Sequence, residues 1–253
     1  MMLARMQRPT FLDSVFERTA TRFLRRIHRI THRMPVKARI IGKQRVLVIA
    51  PHPDDEVIAV GGTMALHQRA GSEMQTLYAT MDDPAPDGST VRRGEAERAA
   101  RLLGFDPRFL GLPNGALSLN EESLTRGIEE AIRSFRPEVI YCPFPADHHR
   151  DHMSASACTG AAIARSGYDG EICCYEVWTS LWPNAGVDIT SVVDVQREAI
   201  NCYASQVAYL HYVEGALGLN RFRGLKLEVP YAEALFACTP DTFTELCRTL
   251  AVI

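Results

Sequence analysis

From Lys43 onward the chain alternates short apolar runs with amphipathic segments of helical period, and that alternation admits few architectures. Apolar runs at Arg45–Ala50, Met74–Thr80, Phe109–Leu112, Val139–Pro143 and Ile172–Val177 predict strands. Between and after them, Val60–Ala70, Val91–Leu103, Glu122–Phe135, Ser154–Arg165 and Gln196–Ser205 carry the period of helices, the first ended by Gly71. Strand followed by helix, repeated, predicts an α/β fold: a Rossmann-like three-layer sandwich, a mostly parallel sheet with helices on both faces. In such sheets ligands bind beyond the carboxyl ends of the strands, which directs attention to the residues after Ala50 and after Pro143.

The segment before this alternation differs in kind. Residues 1–45 hold 12 Lys and Arg against Asp13 and Glu17, a net +10, so the rest of the chain carries about −12 within an overall −2. Phe11, Val15, Phe23, Ile27, Ile30 and Met34 fall on one helical stripe, and arginines fill the opposite face until Pro35. We therefore divide the chain into a basic amphipathic extension, residues 1–43, and one globular domain, residues 44–253. A helix over residues 11–34 suits peripheral contact with an anionic membrane. Packing against the domain or a second subunit of a homo-oligomer, and a transit peptide, are the other readings of the same stripe. The acidic body argues against nucleic acid as a partner. Seven cysteines without CxxC spacing, and no apolar run long enough to span a bilayer, lead us to expect a cytoplasmic protein, with any membrane contact peripheral at the inner surface.

Directly after the first predicted strand stands Pro51-His52-Pro53-Asp54-Asp55-Glu56, followed by Gly61-Gly62. Two prolines stiffen the turn, as pre-placed ligands require, and adjacent aspartates point apart, so one can ligate a metal while the other faces substrate and water. The second cluster, Asp147-His148-His149-Arg150-Asp151-His152, follows the Val139–Pro143 strand and precedes a helix expected to begin near Met153 or Ser154. His149 and His152, three apart near a helix start, can face one pocket, and Asp151 can accept from a ring nitrogen to fix a tautomer. His52, Asp55 and His152 then form a two-histidine, one-carboxylate set suited to Zn2+, with open positions for water and a carbonyl oxygen. Fe2+ or another divalent metal suits the same ligands. Asp54 would act as base, and a protonated His149 would donate to the oxyanion. A single histidine or aspartate at a strand end is more often a turn cap than a ligand; two such clusters change the balance.

His52-Pro53-Asp54-Asp55-Glu56 with Gly61-Gly62-Thr63, and His149-Arg150-Asp151-His152, closely resemble the PIG-L/LmbE family of zinc-dependent N-deacetylases. The likeness continues through Arg92-x-x-Glu95, Ala99-x-x-Leu102-Leu103-Gly104, Asn114-Gly115-Ala116-Leu117, Tyr175-Glu176-Val177-Trp178, Ser205-Gln206, Arg223-Gly224 and Tyr231-Ala232-Glu233-Ala234, covering roughly residues 44–238. The resemblance implies that residues 44–253 are an LmbE-like domain, that His52, Asp55 and His152 bind zinc, that Asp54 is the base, that His149 stabilises the oxyanion and that Asp151 orients a histidine. It also implies substrate binding by Arg92, whose guanidinium suits sugar hydroxyls or a phosphate. Arg150 stands where the family commonly has proline, Tyr203 where similar sequences often have histidine, and His148 has no assigned role. Trp178 and Trp182 offer a stacking platform for a sugar ring, with core packing expected for at least one of them.

The implied function is removal of an N-acetyl group from an N-acetylglucosamine-containing substrate, a small molecule or a lipid-linked precursor. The alternatives are an amidase for a non-sugar N-acyl amine, and a non-catalytic metal- or glycan-binding protein; retention of Asp54 speaks against the latter. Prolines and acids in place of glycines after the first strand disfavour a dinucleotide site.

Overall fold

The computed structural model describes residues 36–81 and 88–250. The helix expected over residues 11–34 lies outside them. The strands are β1 (Lys37–Ala38), β2 (Arg45–Ala50), β3 (Glu73–Thr80), β4 (Asp106–Leu112), β5 (Val139–Pro143), β6 (Glu171–Tyr175), β7 (Ala185–Asp188) and β8 (Ala232–Cys238). The α-helices of the described residues are α1 (Asp55–Arg69), α2 (Gly88–Leu103), α3 (Glu121–Phe135), α4 (Arg150–Ser166), α5 (Val193–Asn201), α6 (Ala204–Val207), α7 (Tyr212–Gly224) and α8 (Pro240–Leu250).

The strands form one sheet in the order β1-β7-β8-β6-β5-β2-β3-β4. Every pairing is parallel except those of β8, which runs antiparallel to both β6 and β7. Strand β2 is covered on both faces, as a near-continuous apolar run in a parallel sheet should be. Val46, Val48 and Ala50 meet a core that includes Val57 and Met64 of α1, Ala99 and Leu103 of α2, Ile200 of α5 and Ala216 of α7. Leu47 and Ile49 meet Leu124 and Ile128 of α3, Ala162 of α4 and Phe243 of α8. The three-layer α/β expectation therefore holds.

Strand order reverses between β2 and β5, which pair directly through Val46↔Val139, Leu47↔Ile140 and Val48↔Tyr141. Connections from β2 lead one way to β3 and β4, and from β5 the other way to β6. This is a switch point, where diverging loops leave a crevice at the carboxyl ends. Both histidine–aspartate clusters emerge there.

Several boundaries differ from expectation for local reasons. Helix α1 starts at Asp55 rather than Val60, because the Asp54 carbonyl already accepts from the Val57 and Ile58 N–H groups at 3.2 and 3.1 Å. At Val60 its backbone leaves the helical region (φ −136°), and the Gly62 and Thr63 N–H groups donate instead to the two carboxylate oxygens of Glu233, each at 2.7 Å. A Cβ at Gly62 would meet Ile189 Cγ2 at 2.7 Å, which accounts for glycine there. Helix α4 begins at Arg150, earlier than expected, so Asp151 and His152 belong to its first turn. The segment expected as one helix from Gln196 to Ser205 is divided into α5 and α6. Residues before Lys43 supply β1, which lies beside β7, and Arg39 makes a two-pronged ion pair with Glu171 at 2.6 Å. Five of the seven cysteines are buried and two half-buried, all as free thiols.

Candidate active site and metal centre

The turn after β2 is held on every side. Pro51 O accepts from both the N–H and the hydroxyl of Thr80, at 3.0 and 2.9 Å, and Pro53 O accepts from Arg92 Nη2 at 2.6 Å. Asp54 sits at φ 127°, a conformation L-residues avoid at a cost of order 1–3 kcal/mol. Its N–H donates to Glu56 Oε2 at 3.1 Å, and Glu56 Oε1 accepts from the hydroxyls of Tyr78 at 2.8 Å and Tyr203 at 2.5 Å. The strained turn thus rests on a fully buried carboxylate braced by two tyrosines. Tyr203 stands behind the site, not in its lining.

Asp55 Oδ2 lies 3.2 Å from His52 Nδ1 and 3.3 Å from His152 Nε2. Two ligands on a tetrahedral ion with bonds of about 2.0–2.1 Å stand about 3.3 Å apart, so these separations match a shared cation. The outer nitrogens face carboxylates: His52 Nε2 is 3.0 Å from Asp151 Oδ2, and His152 Nδ1 is 3.4 Å from Asp147 Oδ2. Such partners hold the proton on the far nitrogen and leave the near one free to ligate. Asp151 is itself fixed by the Gly115 and Leu117 N–H groups at 2.7 and 3.2 Å, and Asp147 by that of His149 at 2.9 Å.

His152 Nε2, the nitrogen that faces Asp55, is buried without a hydrogen bond, a costly state that metal ligation would relieve. His52, His149 and His152 also bring nitrogen atoms within 4.8 Å of one another, an alternative three-histidine set. Electrostatics point the same way. Burial opposes protonation of His52, yet its hydrogen bonds to Asp151 and Asp55 push it up to about 9. Burial opposes His152 too, yet Asp55 and Asp147 push it up to about 10. Burial likewise works against ionised Asp55, but His152 and His52 hold it well below the usual carboxylate range. A field that favours extra protons on these rings equally favours a divalent cation among them.

Asp54 points elsewhere. Burial pushes its carboxyl up to about 7 against the pull of Arg92, whose Nη1 lies 3.6 Å from Oδ2. Such a group can both take and return a proton near neutral pH. Arg92 lines the pocket, but its guanidinium is engaged with Asp54 and Pro53, which makes it a tuner of the base as well as a candidate for substrate contact. His149, the residue before α4, lines the pocket, and burial together with the charge on His52 and His152 lowers its pKa.

The pocket over these groups holds about 330 Å³ and is also lined by Asn114, Trp178, Gln206, Tyr209 and Tyr212. Glu95 of α2 accepts from both the N–H and the hydroxyl of Ser205 at 2.7 Å, bringing neighbouring Gln206 to the rim. Trp178 is 42% and Trp182 40% exposed, so neither is core as expected for at least one; only Trp178 lines this pocket. His148 is exposed, its Nδ1 lies 2.8 Å from the Thr179 hydroxyl, and it does not line the pocket. Sequence reasoning passed over Asp147, Glu56 and Tyr212. Asp147 had a legible signal, an acid opening a histidine cluster at a strand end, whereas Tyr212 reaches the pocket only through tertiary folding.

Residues 47–163 match the family model described as PIG-L: GlcNAc-PI de-N-acetylase. A solved structure of a conserved protein from Thermus thermophilus is 30% identical, with a TM-score of 0.68, and covers 76% of this chain and 94% of its own. The chain belongs to the PIG-L family. The N,N'-diacetylchitobiose deacetylase of Pyrococcus horikoshii shares the fold, with a TM-score of 0.68 at 24% identity over 94% of this chain and 96% of that one. In sequence, the 1D-myo-inositol 2-acetamido-2-deoxy-alpha-D-glucopyranoside deacetylase of Rhodococcus jostii is 26% identical over 242 aligned residues, 66% of this chain and 83% of that protein. In this member Asp54 and Asp55 stand at the start of α1, and His149 and His152 flank Arg150, which takes the first helical position of α4.

Proposed function

We propose that this PIG-L family member is a metal-dependent hydrolase that removes the N-acetyl group from an N-acetylglucosamine-containing substrate. The observation that carries the reading is the single Asp55 oxygen within 3.3 Å of both His52 Nδ1 and His152 Nε2, with Asp54 on the pocket side of the same turn. We assign His52, Asp55 and His152 as ligands and Zn2+ as the ion, Fe2+ being the alternative this mixed nitrogen–oxygen set accepts. A divalent ion there would polarise the amide carbonyl and acidify water.

The remaining chemistry belongs to the chain. Asp54 takes the proton of the attacking water and, with a carboxyl near 7, returns it to the amine nitrogen as the C–N bond breaks. His149 donates an N–H to the carbonyl oxygen as negative charge develops. Asp151 and Asp147 hold the rings of His52 and His152 in the ligating tautomer. Trp178 offers its face to the sugar, and Arg92 favours the ionised form of Asp54 against the effect of burial.

The sugar assignment rests on the named relatives, which act on acetamido sugars. An amidase for non-sugar N-acyl amines is the second reading, because the same metal and base would serve it. Peripheral contact with a membrane through residues 11–34, association into a homo-oligomer and a cytoplasmic setting belong to the proposal; seven free thiols support a reducing compartment. No helix among the described residues is long and apolar enough to cross a membrane. The test is amine release by the zinc-loaded full chain from a panel of N-acetylglucosamine derivatives and non-sugar N-acetyl amines. Turnover confined to the sugars supports the proposal; turnover confined to the non-sugar amides overturns it in favour of the amidase.

A further inference from the structure

The loop between β6 and β7, residues 176–184, has neither helix nor strand of its own, yet it brings Trp178 to the lining of the pocket over Asp54. A contact residue on such a segment is only as well placed as its anchors. The later part of the loop is tied down. Leu181 N–H donates to Glu176 Oε2 at 2.8 Å, Leu181 O accepts from Arg223 Nη2 at 3.1 Å, and the Asn184 side chain bonds both the N–H and the carbonyl of Ala237. None of these bonds reaches Trp178 or Thr179.

Among the described residues, Trp178 and Thr179 make their hydrogen bonds only to the start of the second histidine cluster. Trp178 N–H donates to Asp147 Oδ2 at 3.3 Å. Thr179 Oγ1 accepts from the His148 N–H at 3.0 Å and lies 2.8 Å from His148 Nδ1. A hydroxyl has one proton and two lone pairs, so Thr179 can accept from the backbone and donate to the ring at once. Asp147 is buried and fixed through Oδ1 by the His149 N–H at 2.9 Å, while its Oδ2 also faces His152 Nδ1 at 3.4 Å. The turn that carries a proposed metal ligand therefore also holds the middle of the loop. His148 is exposed, so its bonds to Thr179 add little to global stability and act on local position.

We propose that His148 and Thr179 are positioning residues, a latch that keeps Trp178 in register with the metal-bearing turn and so sets where the substrate sugar lies. The latch gives His148 a role without contact with the pocket. The identity of the sugar rests on the deacetylase reading; the placement of Trp178 does not. Stacking made equally in the ground and transition states acts on KM and leaves kcat nearly constant.

The experiment uses the zinc-loaded full chain. Thr179→Val removes the hydroxyl at nearly constant size, Thr179→Ser keeps it, and His148→Asn offers an amide oxygen as acceptor in place of Nδ1. With an N-acetylglucosamine glycoside, Thr179→Val lowers kcat/KM roughly two- to ten-fold, through KM, the size of one aromatic stacking contact. Thr179→Ser and His148→Asn retain the wild-type value. In a Trp178→Ala background Thr179→Val has no further effect, because the latch acts only through that ring. An equal loss in that background shows that Thr179 acts on the fold at large, and overturns the proposal.

A second readout needs no turnover. The chain has two tryptophans, so Trp182→Phe leaves Trp178 as the sole indole fluorophore. In that protein Thr179→Val moves the emission to longer wavelength and increases quenching by acrylamide, whereas Thr179→Ser does neither. Unchanged emission and quenching in Thr179→Val overturn the latch. If wild type hydrolyses no acetamido sugar while loss of the hydroxyl still shifts Trp178 emission, the deacetylase reading fails and the latch stands.

Discussion

The turns after β2 and β5 end neighbouring parallel strands, and each delivers histidine and aspartate to the start of a helix, yet their backbones are built differently. After β5 the chain enters α4 without strain: His149 has an extended backbone (φ −75°, ψ 123°), and the helix begins at Arg150. After β2 the chain passes through Asp54 at φ 127°, braced by Glu56, Tyr78 and Tyr203 from behind and by Arg92 across the turn. A helix start aims the side chains of its first turn at fixed angles without backbone strain. Separating a base from a ligand one residue away demands a bend that the backbone resists, and the surrounding buried groups hold that bend in place.

The sharpest way to break this contrast is Asp54→Gly. Glycine accepts φ 127° freely, so the variant should lose about 10²- to 10⁴-fold in kcat/KM and yet gain about 1 kcal/mol in stability by urea titration. A loss of stability would show that the turn is not strained.

Next in size is Asp147→Asn. If the carboxylate fixes the tautomer of His152, zinc affinity measured by competition with a chelator falls about 10- to 100-fold; unchanged affinity would leave the helix start as sufficient by itself.

Arg92→Met separates tuning from substrate contact. The guanidinium favours ionised Asp54, so its removal raises the pKa of that carboxyl, and the acid limb of the kcat/KM profile moves to higher pH. A rise in KM with an unmoved limb would assign Arg92 to the substrate instead.

The smallest effect is expected at the relaxed turn. His149 already has the backbone that precedes proline, and Arg150 is the first residue of α4, where proline fits. Arg150→Pro should therefore stabilise by about 0.5 kcal/mol in thermal or urea unfolding.

The legible parts of the molecule are those whose pattern is local. Strands β2 and β5 are buried on both faces and read as continuous apolar runs, and α3 follows its expected span closely. Strand β7, with the sequence Ala-Gly-Val-Asp, has no strand signature of its own; it is held between β1 and β8. Helix α7 was hidden by Gly215, Gly218 and Gly224. At the site, the histidines and aspartates were visible because their chemistry is distinctive, whereas the bracing of Asp54 by Tyr78 and Tyr203 joins residues 125 positions apart in sequence. Glu233 was recognised only as part of a motif; its reason for being there is the broken helix at Gly62 and Thr63, which only the folded chain reveals.

The central claim is that the residue following the strained bend holds the metal while Asp54 performs the proton transfer. Zinc content and amine release measured together on wild type and Asp54→Asn test it most directly. The account predicts one zinc per chain in both proteins and turnover in wild type alone. An Asp54→Asn protein that loses its zinc, or that keeps it and still releases amine at the wild-type rate, would contradict it.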